Sequence, residues 1–250
     1  MQTIVLATQK GGSGKSTLAI GLALAAMEAG HTVCLIETDP QGTLSNWQDR
    51  RPDPEPMVEP VYKALELEPR LQALQCSGVT VAIIDTAGGV SAATTAAIRY
   101  GDFCLIPARP SIADIEATAP TLELARIWRK PFAFVLNQTP IRGHRIGQAA
   151  TSLADEAALD LADVLAQPFI VMRNDHQDAL NAGLAVSELA PAGKSAEEIR
   201  SLWHWLESRL RDGVTAEEQP IILPAAPEIV PAIFLRARAE TPALVSWSGL

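Results

Sequence analysis

The chain has 250 residues, of which 48% are hydrophobic and 20% are charged, and its formal net charge at pH 7 is −9. This composition is typical of one globular domain and excludes a disordered protein. The acidic balance argues against a strongly basic nucleic-acid module, so any contact with DNA must come from a local positive patch. No run reaches the roughly 18 apolar residues of a membrane span, and we expect no signal peptide.

The three cysteines, Cys34, Cys76 and Cys104, are scattered, without the close spacing of a metal site. Two of them, Cys34 and Cys104, fall in apolar runs that are typical of strands. We therefore expect these two thiols to pack in a core, in a protein that resides in a reducing compartment.

A glycine-rich segment at residues 9–17 has the sequence Gln-Lys-Gly-Gly-Ser-Gly-Lys-Ser-Thr. It follows an apolar run at residues 3–7, typical of a buried strand, and precedes a stretch rich in alanine and leucine at residues 18–29, typical of a helix. This order is the context of a phosphate-binding loop, in which backbone N–H groups and a helix N-terminus hold an anion. The nucleotide-binding residues predicted here are Lys10, Gly11, Gly12, Ser13, Gly14, Lys15, Ser16 and Thr17.

Two side chains of this loop, with a carboxylate from a later strand, suit a magnesium-bound triphosphate. Lys15 is placed to neutralise the β- and γ-phosphates, and the Ser16 hydroxyl to reach a magnesium ion. Asp85 follows the apolar strand predicted at residues 79–84, where phosphate-loop ATPases place a second magnesium contact. The alternative is that Asp85 is an ordinary turn residue.

Asp39 follows another apolar run, at residues 32–36. A carboxylate just past a parallel strand lies on the rim where open α/β sheets bind ligands. The alternative is that Asp39 caps the helix predicted at residues 43–49.

An amide side chain, Asn137, follows the strand predicted at residues 132–136. Because it offers both a donor and an acceptor, it could read the edge of adenine; the alternative is a turn asparagine. A short last strand is predicted at residues 168–171, and its backbone, beginning at Pro168, would line the other side of the base.

The rest of the pattern alternates strands and helices. Residues 50–60 carry four prolines and are interpreted as an exposed connector. The other predicted elements are a helix at residues 61–75, in one or two pieces because Pro69 interrupts the pattern, a helix at 91–100, a strand at 103–107 and a helix at 112–128. Together they predict a doubly wound α/β domain with a mostly parallel sheet of about seven strands.

The last helix of the domain is predicted to begin at Ser195, where Ser-Ala-Glu-Glu forms a capping box, and Gly213 is predicted to end the domain. Residues 1–213 would thus form one domain. Residues 214–250 are proline-rich, yet too apolar for a free linker. They suit docking on a surface, a partner or a second copy; an amphipathic membrane helix is the weaker alternative because the prolines oppose it.

A small basic cluster, Arg142, His144 and Arg145, falls in a predicted loop. Such a cluster is either a solvated turn or part of a patch that contacts DNA phosphates without reading sequence. The candidate DNA-contacting residues are Arg142, Arg145, Arg173, Arg200, Arg209 and Arg211.

The phosphate loop departs from the general pattern at its start, where Gln9 replaces the usual glycine and Lys10 adds a second lysine. Lys-Gly-Gly-x-Gly-Lys-Ser/Thr resembles the deviant phosphate loop of the ParA/MinD family of ATPases, as do the segments around Asp39 and Asp85. The likeness covers about residues 2–212 and is greatest to short ParA-type partition ATPases. Ser13 and Ser16 stand where the family usually has Val and Thr, and both keep the groups that nucleotide binding needs.

The resemblance implies a catalytic set of Lys10, Lys15 and Asp39. Lys10 would reach the partner's nucleotide across a dimer interface. Asp39 would orient the attacking water near a magnesium ion, which Ser16, Asp39 and Asp85 would hold. It also implies that Asn137 contacts adenine. The implied cofactors are ATP and Mg2+. The implied partners are a second copy, nonspecific DNA and a ParB-like or cargo-adaptor protein that stimulates hydrolysis, with the protein in the cytoplasm on the nucleoid. The alternatives are a membrane-cycling MinD-like regulator, a metabolic phosphate-loop enzyme and a nucleotide-binding scaffold with little turnover.

Overall fold

The computed structural model describes the backbone of residues 1–215 and the side chains of residues 1–211. Within these residues, six parallel strands form one sheet in the order β3-β2-β4-β1-β5-β6. The strands are β1 (Gln2–Leu6), β2 (Val33–Glu37), β3 (Met57–Pro60), β4 (Val81–Asp85), β5 (Phe103–Ala108) and β6 (Phe132–Leu136). The helices are α1 (Lys15–Glu28), α2 (Thr43–Arg50), α3 (Ala64–Cys76), α4 (Ala92–Tyr100), α5 (Ile112–Glu116), α6 (Ala119–Ile127), α7 (His144–Ala157), α8 (Leu161–Val164), α9 (Asp175–Asn181), α10 (Val186–Leu189) and α11 (Lys194–Thr215).

Helices cover both faces of the sheet, so the predicted doubly wound α/β fold is confirmed. Successive strand residues point to opposite faces, as in Ile4 and Val5 of β1, and both are fully buried. One face packs against α1, α2 and α11, and the other against α3, α4, α6 and α7. Because both faces of the central strands are buried, these strands are continuous apolar runs in the sequence. Cys34 and Cys104 are buried on the face covered by α3, α4, α6 and α7. Burial raises the pKa of each thiol to about 12, and their prediction as core residues is confirmed.

Strand order places the ligand-binding edge at β1. The chain leaves β1 for β2 on one side of the sheet and later adds β5 on the other side. In open α/β sheets, a crevice forms at the carboxyl ends of the strands where the winding reverses. The glycine-rich segment at residues 9–14 lies there, between β1 and α1.

The sheet differs from the prediction at both edges. Residues 57–60, interpreted as part of an exposed connector, form the edge strand β3, which pairs in parallel with β2. Residues 168–171, predicted as a strand, make one isolated bridge, between Thr139 and Val171. The count of about seven strands is therefore wrong for the described residues, which contain six.

Several helix boundaries also differ. The helix predicted at residues 112–128 is divided into α5 and α6. Of the two alternatives left open for the helix around Pro69, the structure has the single one, α3. The last helix begins at Lys194, so Ser195 lies within its first turn, and its hydroxyl donates to Asp175 instead of capping the helix. The same helix continues to Thr215, past Gly213.

In the part of the chain that the structure describes, no helix combines the length and the apolar character that crossing a bilayer requires. The apolar extension predicted at residues 214–250 lies outside the described residues, apart from the end of α11.

Candidate nucleotide-binding site

The glycine-rich segment adopts an open turn that leads directly into α1. Gly12 and Gly14 have φ angles of +74° and +91°, in the left-handed region that favours glycine. Gly14 precedes the first residue of α1, and among the described residues no side chain caps this end of the helix. The first N–H groups of α1 are thus available to an anion, as the phosphate-loop prediction requires.

Two amide side chains at the end of β6 brace this turn. Asn137 Nδ2 donates to the carbonyl of Ser13 at 2.8 Å, and Gln138 Nε2 donates to the carbonyl of Gly12 at 3.0 Å. A Cβ atom on Gly14 would clash with Asn137 Nδ2. Only glycine at this position therefore lets the loop lie so close to the end of β6. Asn137 thus supports the loop, and its predicted contact with adenine stays a prediction.

A lysine and two carboxylates meet beneath the turn. Lys15 is buried, which lowers the pKa of its ammonium, while the neighbouring charges of Asp85 and Asp39 act in the opposite direction. Both carboxylate oxygens of Asp85 are buried and have no hydrogen-bond partner among the described residues. Burial raises the pKa of Asp85 to about 7, against the lowering influence of Ser16 and Lys15.

This arrangement fits a divalent cation. A buried carboxylate without partners is costly unless a charge compensates it, and magnesium prefers oxygen ligands while keeping several waters. Asp85 and the hydroxyl of Ser16 would be such ligands, directly or through water, and their contact with magnesium stays a prediction. Asp39 lies close enough to influence the pKa values of both Lys15 and Asp85.

The residue that caps α2 is Glu37, not Asp39. The Glu37 carboxylate is fully buried and accepts from the backbone N–H groups of Leu44 at 2.6 Å and Ser45 at 3.2 Å. Asp39 instead accepts from the N–H of Gln41 within its own turn, at 2.9 Å. The alternative that Asp39 caps this helix is therefore wrong, and its second oxygen is left for other chemistry.

The two carboxylate-bearing loops are joined at their bases. The N–H and the hydroxyl of Thr38 both donate to the carbonyl of Asp85, at 3.0 and 3.1 Å. Further along, a Cβ atom on Gly88 would lie 3.3 Å from the carbonyl of Gln9, so the loop after Asp85 packs against the start of the phosphate loop.

The comparisons with known proteins agree with this geometry. The model of the CobQ/CobB/MinD/ParA nucleotide-binding domain matches residues 4–186. The chain belongs to this family. The match spans the glycine-rich segment, both carboxylate loops and the end of β6, so the resemblance to ParA/MinD ATPases that the sequence indicated is confirmed.

Relatives of this ParA/MinD-type chain include the maintenance of carboxysome distribution protein A of Halothiobacillus neapolitanus, 29% identical over 210 residues, covering 80% of this chain and 94% of that protein. Protein ParA of Rhizobium radiobacter is 31% identical over 126 residues, 50% of this chain and 56% of that protein. Among solved structures, an ATP complex of McdA from Cyanothece has a TM-score of 0.66 at 17% identity, covering 88% of this chain and 99% of that one. MinD of Pyrococcus horikoshii with Mg-ADP has a TM-score of 0.66 at 16% identity, covering 86% and 99%. These structures share the fold.

The second lysine of the ParA/MinD-type loop has a partner within its own chain. Lys10 Nζ donates to Asp114 Oδ2 at 3.1 Å, and Arg109 Nε donates to the other oxygen at 2.8 Å. Asp114 is only 3% exposed. Although burial opposes the charged form, hydrogen bonds from Arg109, Ser111 and Lys10 lower the pKa of Asp114. Sequence reasoning missed Asp114, since nothing in its local pattern marks it.

A small cavity of about 120 Å³ opens beside the turn. Its lining includes Asn137, Val171, Arg173 and His176, whereas Pro168 is not part of it. Of the segment 168–171 that was predicted to line the base, Val171 belongs to this lining, and its contact with a base stays a prediction. His176 was also missed from sequence; burial lowers its pKa, so the ring is neutral at pH 7.

Four of the six candidate DNA-contacting arginines have partners within the chain. Arg142 and Arg145 are exposed before and in the first turn of α7. Arg173 forms a bidentate pair with Glu198. The three arginines on α11 have local partners: Arg200 donates to the carbonyl of Pro191, Arg209 to that of Ala162, and Arg211 pairs with Glu207.

Proposed function

We propose that this chain is a Mg2+-dependent ATPase that dimerises around ATP, binds nonspecific DNA in that state and is released when a partner stimulates hydrolysis. Such a cycle would position a plasmid, a chromosome region or a protein assembly. The observation that carries the proposal is the convergence of Lys15, Asp85 and Asp39 beneath an uncapped helix N-terminus. The names of two relatives, maintenance of carboxysome distribution protein A and protein ParA, support a positioning role.

Phosphoryl transfer needs mainly positioning and compensation of negative charge. The backbone of residues 11–17 would bind the phosphates, and Lys15 would neutralise their charge. Asp85, Ser16 and Asp39 would hold magnesium, and the ion would supply positive charge to offset the negative charge that develops on the phosphates. Asp39, free of the capping role, would orient the attacking water. Asn137 and the cavity beside it would receive the base.

In the proposed dimer, two chains face each other at the carboxyl edge of their sheets. Lys10 of each chain would reach the nucleotide of the other, which makes hydrolysis dependent on pairing. Exposed apolar side chains at this edge, Ile112 and Ile141, are 76% and 74% exposed and would be covered by the second copy.

DNA binding would fall first to Arg142 and Arg145, which are exposed, while Arg173 and the arginines of α11 have partners within the chain. Contacts of this kind bind phosphates without sequence preference and weaken as salt rises. A ParB-like or cargo-adaptor protein would stimulate hydrolysis, and the ATP form would reside on the nucleoid in the cytoplasm.

The experiment is ATP-dependent retention of nonspecific DNA by the full chain, with Mg2+ and ATP or ADP. We expect the wild type to retain DNA with Mg2+ and ATP but not with Mg2+ and ADP. We expect Lys15→Ala and Lys10→Ala to lose this retention. Lys63→Ala is the matched control, because Lys63 is exposed and, within residues 1–211, its ion pair is with Glu66 on α3. ATP-dependent retention that is unchanged in Lys10→Ala contradicts the cross-subunit role, and retention without ATP contradicts the cycle.

Sedimentation with anionic liposomes distinguishes the membrane alternative. We propose that residues 1–213 form the ATPase domain and that residues 214–250 are a separate extension. ATP-dependent pelleting that disappears when residues 214–250 are deleted would favour a MinD-like membrane cycle. Turnover that stays negligible with DNA would favour a scaffold, and turnover that requires a small-molecule acceptor would favour a metabolic enzyme.

A further inference from the structure

We propose that the end of α2 makes hydrolysis depend on the base of the nucleotide. Three residues there, Trp47, Arg50 and Arg51, form what we call the α2 clamp, which ties the turn of Asp39 to one wall of the cavity beside Asn137. They are positioning residues, because they act on the reaction through Asp39. The inference rests on the proposed ATPase function and deepens it.

The α2 clamp holds the segment formed by α9, α10 and the link between them. Trp47 is fully buried, and its indole N–H donates to the carbonyl of Leu184 at 3.1 Å. Arg50 donates through Nε and Nη2 to the carbonyl of Leu180, at 3.3 and 3.1 Å. Because these contacts end on backbone carbonyls, they fix the path of the segment itself.

The contacts of Arg51 are the most enclosed part of the α2 clamp. Its side chain is 1% exposed, forms a bidentate pair with Glu188 at 2.8 and 2.7 Å, and donates to the carbonyl of Gly183 at 3.3 Å. A Cβ atom on Gly183 would lie 2.5 Å from the carbonyl oxygen of Arg50, so the two backbones are in direct contact. Since breaking a buried ion pair is costly, we expect α2 and the link to move together.

The segment held by the α2 clamp forms one wall of the cavity beside the glycine turn. Leu180 and His176, both in α9, line this cavity. Leu180 thus lines the cavity and also accepts the two hydrogen bonds of Arg50 at its carbonyl. His176 Nε2 is buried and has no hydrogen-bond partner among the described residues. A base in the cavity would supply such a partner and would load α9 directly.

The other end of α2 carries the turn of Asp39. The N–H of Gly42 donates to the carbonyl of Asp39 at 3.1 Å, and the carbonyl of Gly42 accepts from the N–H of Asn46 at 2.9 Å. The turn is therefore continuous with the first turn of α2, a helix of eight residues. A base held against α9 would in this way set the position of Asp39 before water attacks.

A triphosphate without a base separates this role from phosphate binding. Such a ligand would fill the phosphate loop and leave α9 unloaded, so its hydrolysis should be slower than that of ATP. Coupling between two sites typically changes an equilibrium by about 5- to 150-fold. Because Arg50 is exposed, we expect its contacts to contribute at the low end of that range, about fivefold.

The first measurement compares hydrolysis of Mg-ATP and of Mg-tripolyphosphate by the full chain at saturating substrate. Arg50→Ala and Trp47→Phe should lower kcat for ATP by about fivefold or more and leave kcat for tripolyphosphate unchanged. Arg70→Ala is the matched control, because Arg70 is also a surface arginine, 48% exposed, and joins α3 to Glu59 of β3 at 3.6 Å. An equal loss with both substrates in Arg50→Ala shows a merely structural role and overturns the inference.

The second measurement does not depend on turnover. Hydrogen exchange at the amides of Leu44 and Ser45 is followed with Mg2+ and either a nonhydrolysable ATP analogue or tripolyphosphate. Exchange should be several-fold slower with the analogue, and this difference should disappear in Arg50→Ala but persist in Arg70→Ala. Equal exchange with the two ligands in the wild type, or a difference that survives in Arg50→Ala, overturns the inference. A wild type that binds neither ligand contradicts the proposed function, and the inference with it.

Discussion

Two neighbouring carboxylates, Glu37 and Asp39, are expected to separate stability from activity. The perturbation is Glu37→Gln, compared with Asp39→Asn. Gln keeps one oxygen but replaces the other with an NH2 group, which cannot accept from the N–H of Leu44 or Ser45. A buried donor at the start of α2 is then left without an acceptor.

The cost follows from these contacts. An unsatisfied buried donor costs about 1–3 kcal/mol, and loss of a helix cap falls in the same range, so we expect the free energy of unfolding to drop by about 2 kcal/mol. For a domain of this size, that corresponds to a fall in Tm of roughly 4–8 °C. Asn at position 39 keeps the oxygen that accepts from Gln41, so its unfolding free energy should change by less than ~0.5 kcal/mol.

The assay is urea and thermal unfolding of the nucleotide-free protein, followed by ATP turnover with DNA and the stimulating partner. Asp39→Asn should retain its stability and lose turnover by about 100-fold, as expected when the group that orients water is removed. Glu66→Gln serves as the control for a carboxylate on the surface, because Glu66 is exposed. Equal stability of Glu37→Gln and the wild type would refute the assignment of the cap, and a large stability loss in Asp39→Asn would restore the capping role to that residue.

The remaining predictions concern the ligand and the glycine turn. Mg2+ with ATP at about 100 times its Kd should stabilise the wild type by about 2.7 kcal/mol in thermal unfolding, whereas Lys15→Ala or removal of the metal with EDTA should reduce that gain markedly. Asp85→Asn removes the buried carboxylate that is assigned to magnesium, so the additional stabilisation by Mg2+ over ATP alone should be lost; an unchanged gain with Mg2+ would contradict Asp85 as a magnesium ligand. Gly14→Ala should abolish nucleotide binding in calorimetry because its Cβ atom meets Asn137, whereas Gly30→Ala, also at a positive φ but with open space around it, should keep nucleotide binding.

The parts of the site that were predictable lie in short, contiguous segments. The glycine turn, Asp39 and Asp85 each follow an apolar run, and parallel strands bring their carboxyl ends to one edge. Fold class could be predicted for the same reason, since buried central strands appear as uninterrupted apolar runs. These features depend on local pattern alone.

What could not be predicted depends on contacts between distant segments. Asp114 is 104 residues from Lys10, and only the folded chain brings them together. Glu37 resembles the last residue of a strand, and its role as a cap depends on the direction in which α2 leaves the sheet. The edge strand at residues 57–60 lies in a proline-rich stretch and forms because β2 offers it backbone partners.

The double contact from Thr38 to the carbonyl of Asp85 has a kinetic consequence. Because this contact lies where both segments leave the sheet, a displacement that opens it would move the two segments together. If loss of the terminal phosphate opens this contact, the segments that carry Asp39 and Asp85 should move at the same rate. Fluorophores placed on either segment should report a single shared time course.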